Sequence, residues 1–184
     1  ELLETNKDVM DFFGTYPIVG SSLRVTMGCN AKCKHCYTMG GRKLENEYTT
    51  EQILEIIDQL SKMNIAQMFF TGGEPFLRKD IVKILNYANE KGIDILISTN
   101  GSILKEETIQ QIEHIKFKQF QVSIDGIGAW HDENRGVGFF EKADKTIDLL
   151  KKHNINNITS LVLVTCSNFN DNLQVVYISR LVNV

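Results

Sequence analysis

Repeated changes of hydrophobic period limit the fold of this sequence more than any other feature. Leu23, Val25 and Met27 alternate as in a strand. Thr49 and Gln52 form a capping-box pattern, and Ile53, Ile56, Ile57 and Leu60 follow at helical spacing. The near-continuous apolar run 65–70 fits a buried strand. Ile81, Ile84, Leu85 and Ala88 mark a second helix closed by Gly92. Residues 93–97 read as strand, 104–115 as helix with Ile109 and Ile112 inward, and 120–124 as strand. Phe140, Ala143, Ile147 and Leu150 mark another helix, 158–164 another strand and 173–181 a last helix. About five βα units in a row predict an α/β fold, a parallel sheet covered by helices. Periodicity does not choose between a sheet curled toward a barrel and one wound open.

Either architecture puts function at the carboxyl ends of its strands. The polar, glycine-containing segments fall there: 28–36, 71–75, 98–101, 123–126 and 165–168. Five such segments on one rim can converge on one site.

Composition excludes several classes. A net charge of −3 without a dense basic patch argues against nucleic acid. No apolar run approaches the roughly 18 residues of a membrane span. The opening Glu1-Leu2-Leu3-Glu4 has no secretory leader character. Three of the four cysteines lie within eight residues. A secreted disulfide scaffold spreads its cysteines, so the clustering fits a metal in a reducing, cytoplasmic compartment.

The cluster is Cys29-Asn30-Ala31-Lys32-Cys33-Lys34-His35-Cys36. Thiolates are soft ligands that select zinc, copper(I) or iron–sulfur clusters. Three of them in one loop can hold three corners of a cubane and leave one iron open to chelate a substrate. The alternative is zinc, with His35 or the distant Cys166 as fourth ligand.

The spacing Cys-x3-Cys-x2-Cys after a first strand resembles that of the radical S-adenosylmethionine superfamily. Gly72-Gly73-Glu74-Pro75 resembles the family's glycine–glycine–glutamate motif. Ser98-Thr99-Asn100-Gly101 and Ser123-Ile124-Asp125-Gly126 match the next two strand ends. His131-Asp132-Glu133-Asn134-Arg135-Gly136 resembles the subgroup of anaerobic sulfatase-maturating enzymes and other peptide maturases that carry an auxiliary-cluster (SPASM-type) domain. The resemblance runs from about residue 23 to about residue 170. It implies a partial (β/α)6 barrel, here truncated after about five units. Residues 1–20 are expected as a lead-in and 21–184 as the core. The sixth strand and the auxiliary-cluster domain are not visible, which reads as a fragment.

The resemblance also implies the cofactors and their contacts. One [4Fe–4S] cluster with an open iron would sit on Cys29, Cys33 and Cys36 and bind S-adenosylmethionine. Its reductive cleavage to a 5′-deoxyadenosyl radical would serve hydrogen abstraction. Gly72, Gly73 and Glu74, with Pro75 beside them, would meet the methionine ammonium, and Arg135 would clamp its carboxylate. Ser98, Asn100, Ser123 and Asp125 would bond the ribose and nearby polar groups. His35, where many members have Tyr or Phe, together with Tyr37 and Val164, would contact adenine. Plainer readings compete: turn formers for the polar residues, a surface role for Arg135, and core for Val164. Lys32 and Lys34 read as solvated, and Trp130, Phe139, Phe140 and Cys166 as packing. The implied substrate is a peptide or protein, and the implied reductant is a flavodoxin or ferredoxin. Small-molecule cofactor biosynthesis and a non-catalytic metal-binding module are the alternatives. No general acid or base can be named.

Overall fold

The computed structural model describes residues 19–161. Its strands are β1 (Gly20–Thr26), β2 (Gln67–Gly72), β3 (Asp94–Thr99), β4 (Gln119–Ser123) and β5 (Ile158–Leu161). The helices are α1 (Thr50–Lys62), α2 (Ile81–Glu90), α3 (Glu106–Gln110), α4 (Ala129–Arg135) and α5 (Phe139–Lys152), with a 3-10 turn at Pro75–Leu77. All strand pairs are parallel, in the order β1-β2-β3-β4-β5. A doubly wound sheet reverses its order at a switch point. Here every unit adds on the same side, as a barrel requires.

One face of the sheet is largely apolar and faces the helices. Val25, Met68, Phe70, Ile95, Ile97, Phe120 and Val122 are buried on it. They pack with helix residues such as Ile53, Ile57, Ile84, Leu85, Ile147 and Leu150. Alternation turns Ser22, Thr71, Ser98, Gln121 and Ser123 to the opposite face. Parallel sheets are usually apolar on both faces; here Phe69, Leu96 and Leu161 share the inner face with these polar residues, and that mixed surface is kept for something other than core.

The capping box at α1 is closed. Gln52 N–H donates to Thr49 Oγ1 (3.3 Å), and Thr49 N–H donates to Gln52 Oε1 (2.9 Å). Thr49→Ala is expected to cost about 1 kcal/mol. A lower urea midpoint with an unchanged slope is the readout.

One expectation needs correction, and one helix was not anticipated. Segment 104–115 is α-helical only over Glu106–Gln110. Beyond it, Ile112 N–H bonds the Ile109 carbonyl (2.9 Å) and Ile115 N–H the Ile112 carbonyl (3.0 Å). Isoleucines three apart suit such turns as well as a helix, and all three are buried. The motif before α5 is itself helix α4, flanked by Gly128 (φ 57°) and Gly136 (φ 127°). It carries almost no apolar periodicity, so the pattern gave no sign of it. Val164, Cys166, the helix expected at 173–181 and most of the lead-in lie outside the described residues.

Candidate active site

The loop between β1 and α1 is long, and backbone bonds tie it down at several places. Cys29 N–H bonds the Gly41 carbonyl, Gly41 N–H the Met27 carbonyl (both 2.9 Å), and Lys34 N–H the Asn134 carbonyl (3.0 Å). The Glu47 carboxylate accepts from Met27 N–H (2.7 Å), the Thr26 hydroxyl (3.0 Å) and Leu44 N–H (3.2 Å). Nothing in the sequence singles out Glu47 for this role. The next turn seals against the same loop: Gly73 N–H bonds the Thr26 carbonyl (2.7 Å) and Glu74 N–H the Gly28 carbonyl (2.8 Å).

These contacts bring Cys29, Cys33 and Cys36, all free thiols, onto one cavity of about 410 Å³ at the strands' carboxyl ends. His35, Tyr37, Gly72, Gly73, Ser98, Asn100, Ser123 and Arg135 line it too. Each sulfur has its own surroundings. Ala31 N–H points at Cys29 Sγ (3.4 Å), and the Asn100 carboxamide nitrogen lies 4.0 Å away. Arg135 Nη1 is 4.0 Å from Cys33 Sγ. Gly40 N–H (3.4 Å) and the Thr38 hydroxyl (3.3 Å) meet Cys36 Sγ. Burial pushes the Cys29 and Cys33 thiols up. Burial acts on Cys36 as well, but hydrogen bonds from Thr38, Gly40 and Met39 outweigh it and hold that thiol below its ordinary value.

Three expected cofactor contacts are not on the cavity wall. Glu74 is fully buried, and its carboxylate accepts from the Thr99 hydroxyl (2.7 Å), Asn100 N–H (2.7 Å) and Phe76 N–H (3.2 Å). Burial pushes this carboxyl up, and the three bonds oppose the shift. Glu74 therefore pins the β2 turn to the β3 turn, and the backbone of Gly72 and Gly73 faces the cavity instead. Pro75 is buried behind it. Asp125 is buried and holds Arg135 through two bonds, to Nε (2.6 Å) and Nη2 (3.0 Å). The guanidinium fork expected to clamp a ligand carboxylate is thus occupied, leaving Nη1 toward Cys33. His35 Nε2 lies 3.4 Å from both Asp125 Oδ2 and Arg135 Nη2, so the ring is steadied from its edge. Tyr37 is 75% exposed with Arg24 over its ring at 5.9 Å.

Ser102 escaped the sequence reading, and Asn30 and His131 entered it only as members of their motifs, with no role of their own. Asn100 Nδ2 donates to Asn30 Oδ1 (3.0 Å), Asn30 Nδ2 to Ser102 Oγ (2.7 Å), and Ser102 Oγ to Asn100 Oδ1 (2.7 Å). As ordinary loop polars they carry no separate signal. His131 is fully buried; its Nδ1 accepts from Asp125 N–H (3.2 Å), so the neutral ring carries its proton on Nε2. Burial, ahead of the nearby Arg135 charge, pulls its pKa from 6.5 to about 4. The unfolded chain then binds the extra proton first, so stability is lost as pH falls from about 6.5 through about 4. The loss is expected to reach up to roughly 3 kcal/mol. Urea midpoints at both pH values should show a smaller difference in His131→Gln than in the unaltered protein.

The sequence model of the Radical SAM superfamily matches residues 23–174. The chain belongs to the radical SAM superfamily. Enzymes of this superfamily use a [4Fe–4S] cluster and S-adenosylmethionine. The chain is 38% identical over 121 residues to Fe-coproporphyrin III synthase of Methanosarcina barkeri, covering 65% of this chain and 30% of that protein. It is 30% identical over 145 residues to mycofactocin maturase MftC of Mycolicibacterium smegmatis, covering 78% and 37%. The fold matches that of Streptococcus suis SuiB bound to S-adenosylmethionine, with a TM-score of 0.79 and 18% identity, over 97% of this chain and 42% of that one. The chain thus spans about a third of the length of these curated relatives. The partial barrel implied by the sequence is the fold of this radical SAM core.

The donor set fits an iron–sulfur cluster better than zinc. Among the described residues, no three His, Cys, Asp or Glu side chains converge closely enough for a single metal ion. Zinc–sulfur bonds of about 2.3 Å would draw the sulfurs to within about 4 Å of one another. A cubane spreads its thiolates more widely. His35, the suggested fourth zinc ligand, is engaged with Asp125 and Arg135. Among the described residues, no helix is long and apolar enough to cross a membrane.

Proposed function

We propose that this radical SAM chain is the core of an enzyme that modifies a peptide or protein. Convergence of three free thiols, a Gly-Gly turn and Arg135 on one strand-end cavity carries the reading. Cys29, Cys33 and Cys36 would hold a [4Fe–4S] cluster by three thiolates and so keep one iron open for S-adenosylmethionine. Such a cluster, bound and reduced, would supply the electron for reductive cleavage of S-adenosylmethionine, and with it the radical chemistry of hydrogen abstraction. The chain's own task is to bind, orient and shield. Gly72 and Gly73 let backbone approach the methionine ammonium, with Glu74 and Pro75 fixing that turn. Arg135, steered by Asp125, presents Nη1 beside Cys33 to the methionine carboxylate. Ser98, Asn100 and Ser123 would bond the ribose, and His35 and Tyr37 would contact adenine. A flavodoxin or ferredoxin is the proposed reductant and the cytoplasm the proposed compartment, with neither nucleic acid nor membrane as partner.

Similarity to MftC favours a peptide substrate. Similarity to Fe-coproporphyrin III synthase supports a second reading, action on a small cofactor precursor. A third reading is a metal-binding module without catalysis; brown, reduced protein that forms no 5′-deoxyadenosine would favour it. Anaerobic reconstitution should give brown protein that forms 5′-deoxyadenosine from S-adenosylmethionine once reduced. Colourless protein holding stoichiometric zinc would sink the proposal.

A further inference from the structure

The polar groups at the strand ends are largely spent on one another: Glu74 on Thr99 and Asn100, Asp125 on Arg135, and Asn100 on Asn30 and Ser102. One step below the rim the situation reverses. Thr71, Ser98 and Gln121 form a row across three strands on the inner face. Ser98 and Gln121 are register partners, and Thr71 follows Phe70, the partner of Ile97, in step with Ser98. All three line the cavity, with Thr71 only 7% and Gln121 only 8% exposed. Among the described residues, no group hydrogen-bonds either hydroxyl or the Gln121 carboxamide. Thr71 and Gln121 are nearly buried and Ser98 half-buried, yet none of the three has its polar atoms sealed away from the cavity, so the row stands free to bond a ligand there.

The three side chains are uncharged; Arg24, the register partner of Thr71 on β1, is exposed and lies over the Tyr37 ring, and Arg135 Nη2 and Nε are held by Asp125. The Gln121 carboxamide offers one donor and one acceptor side by side, the complement of another amide. The geometry points to a subsite, built by Gln121 with Ser98 and Thr71, that takes an amide group of the substrate next to the cofactor. This rests on the proposed peptide-modifying function and deepens it. The adenine of S-adenosylmethionine offers a similar donor–acceptor edge, and the experiment separates the two.

Saturation-transfer NMR on the reconstituted holoprotein, with S-adenosylmethionine and N-acetylglycinamide present together, reports both ligands in one sample. Propionate serves as the charged comparator. The unaltered protein should transfer saturation to the capped amide and not to propionate. In Gln121→Leu the amide signal should fall at least about fivefold, while adenine-proton signals fall less than about twofold. Thr71→Val keeps the volume and should weaken the amide signal in the same direction, which covers the case of a Gln121 variant that fails to fold. A loss confined to the adenine signals would assign the row to the nucleoside and overturn the proposal. No amide signal in the unaltered protein, or equal signals for amide and propionate, would overturn it too. Failure to form 5′-deoxyadenosine on reduction would instead strike the broader functional reading, and it is scored separately.

Discussion

Cys33→Ala is expected to give a folded, colourless protein that forms no 5′-deoxyadenosine. The three thiols are free, partly exposed and outside the apolar core, so they contribute little to folding. The loop that carries them is fastened by the Gly41, Met27 and Asn134 backbone bonds, by Glu47, and by the buried Ala31. None of these depends on a sulfur. The stability change should therefore stay within about 1 kcal/mol. Activity should fall below detection, because two thiolates cannot fix both the cubane and its open corner. Iron content, visible absorbance and circular dichroism on the same sample separate the two effects. A brown Cys33→Ala protein that still cleaves S-adenosylmethionine would remove the ground for assigning this cysteine to the cluster.

Gly73→Ala should produce the other large effect, through backbone alone. A Cβ there would lie 2.2 Å from the Gly28 carbonyl oxygen and 2.7 Å from that of Met27. Neither is a flexible side-chain tip that can step aside, and Glu74 N–H holds the Gly28 carbonyl in place. The loop must move off the β2 turn, at about 1–3 kcal/mol or more. That displacement reaches Cys29, the next residue, so iron loading should fall along with stability. Gly41→Ala is the matched control, since a Cβ there meets nothing within 4 Å; it should load iron normally. Equal iron content in the two variants would show that the close seam between the two turns is not what sets the cysteine loop.

Much of the fold was legible because strands and helices differ in period. The five strands and the helices α1, α2 and α5 were read mainly from the spacing of apolar residues, with the Thr49–Gln52 capping box and Gly92 marking helix ends. What failed had no period to read: α4 is almost entirely polar, and the isoleucines at 109, 112 and 115 fit a helix and three-residue turns alike. The motif residues were legible as a group, and most of them do meet at one cavity. Their division of labour was not. Whether a carboxylate faces a ligand or a neighbouring loop depends on the packing of separate strands. Glu74 and Asp125 turn inward, to backbone N–H groups and to Arg135, and no local spacing encodes that. Gln121 went unnoticed for the opposite reason. It interrupts an apolar strand, and its significance rests on having no partner where its neighbours have several.

The two-faced sheet separates two kinds of sequence freedom. Residues that hold the molecule together and residues that choose what it handles alternate along the same strands, one pointing to the helices and the other to the chamber. A swap at a chamber position leaves the helix interface intact, so selectivity can be retuned there with little penalty in foldedness. An equal change one residue along strikes the greasy layer and risks the whole domain. Engineering a new specificity into this scaffold therefore comes down to reading parity before reading chemistry.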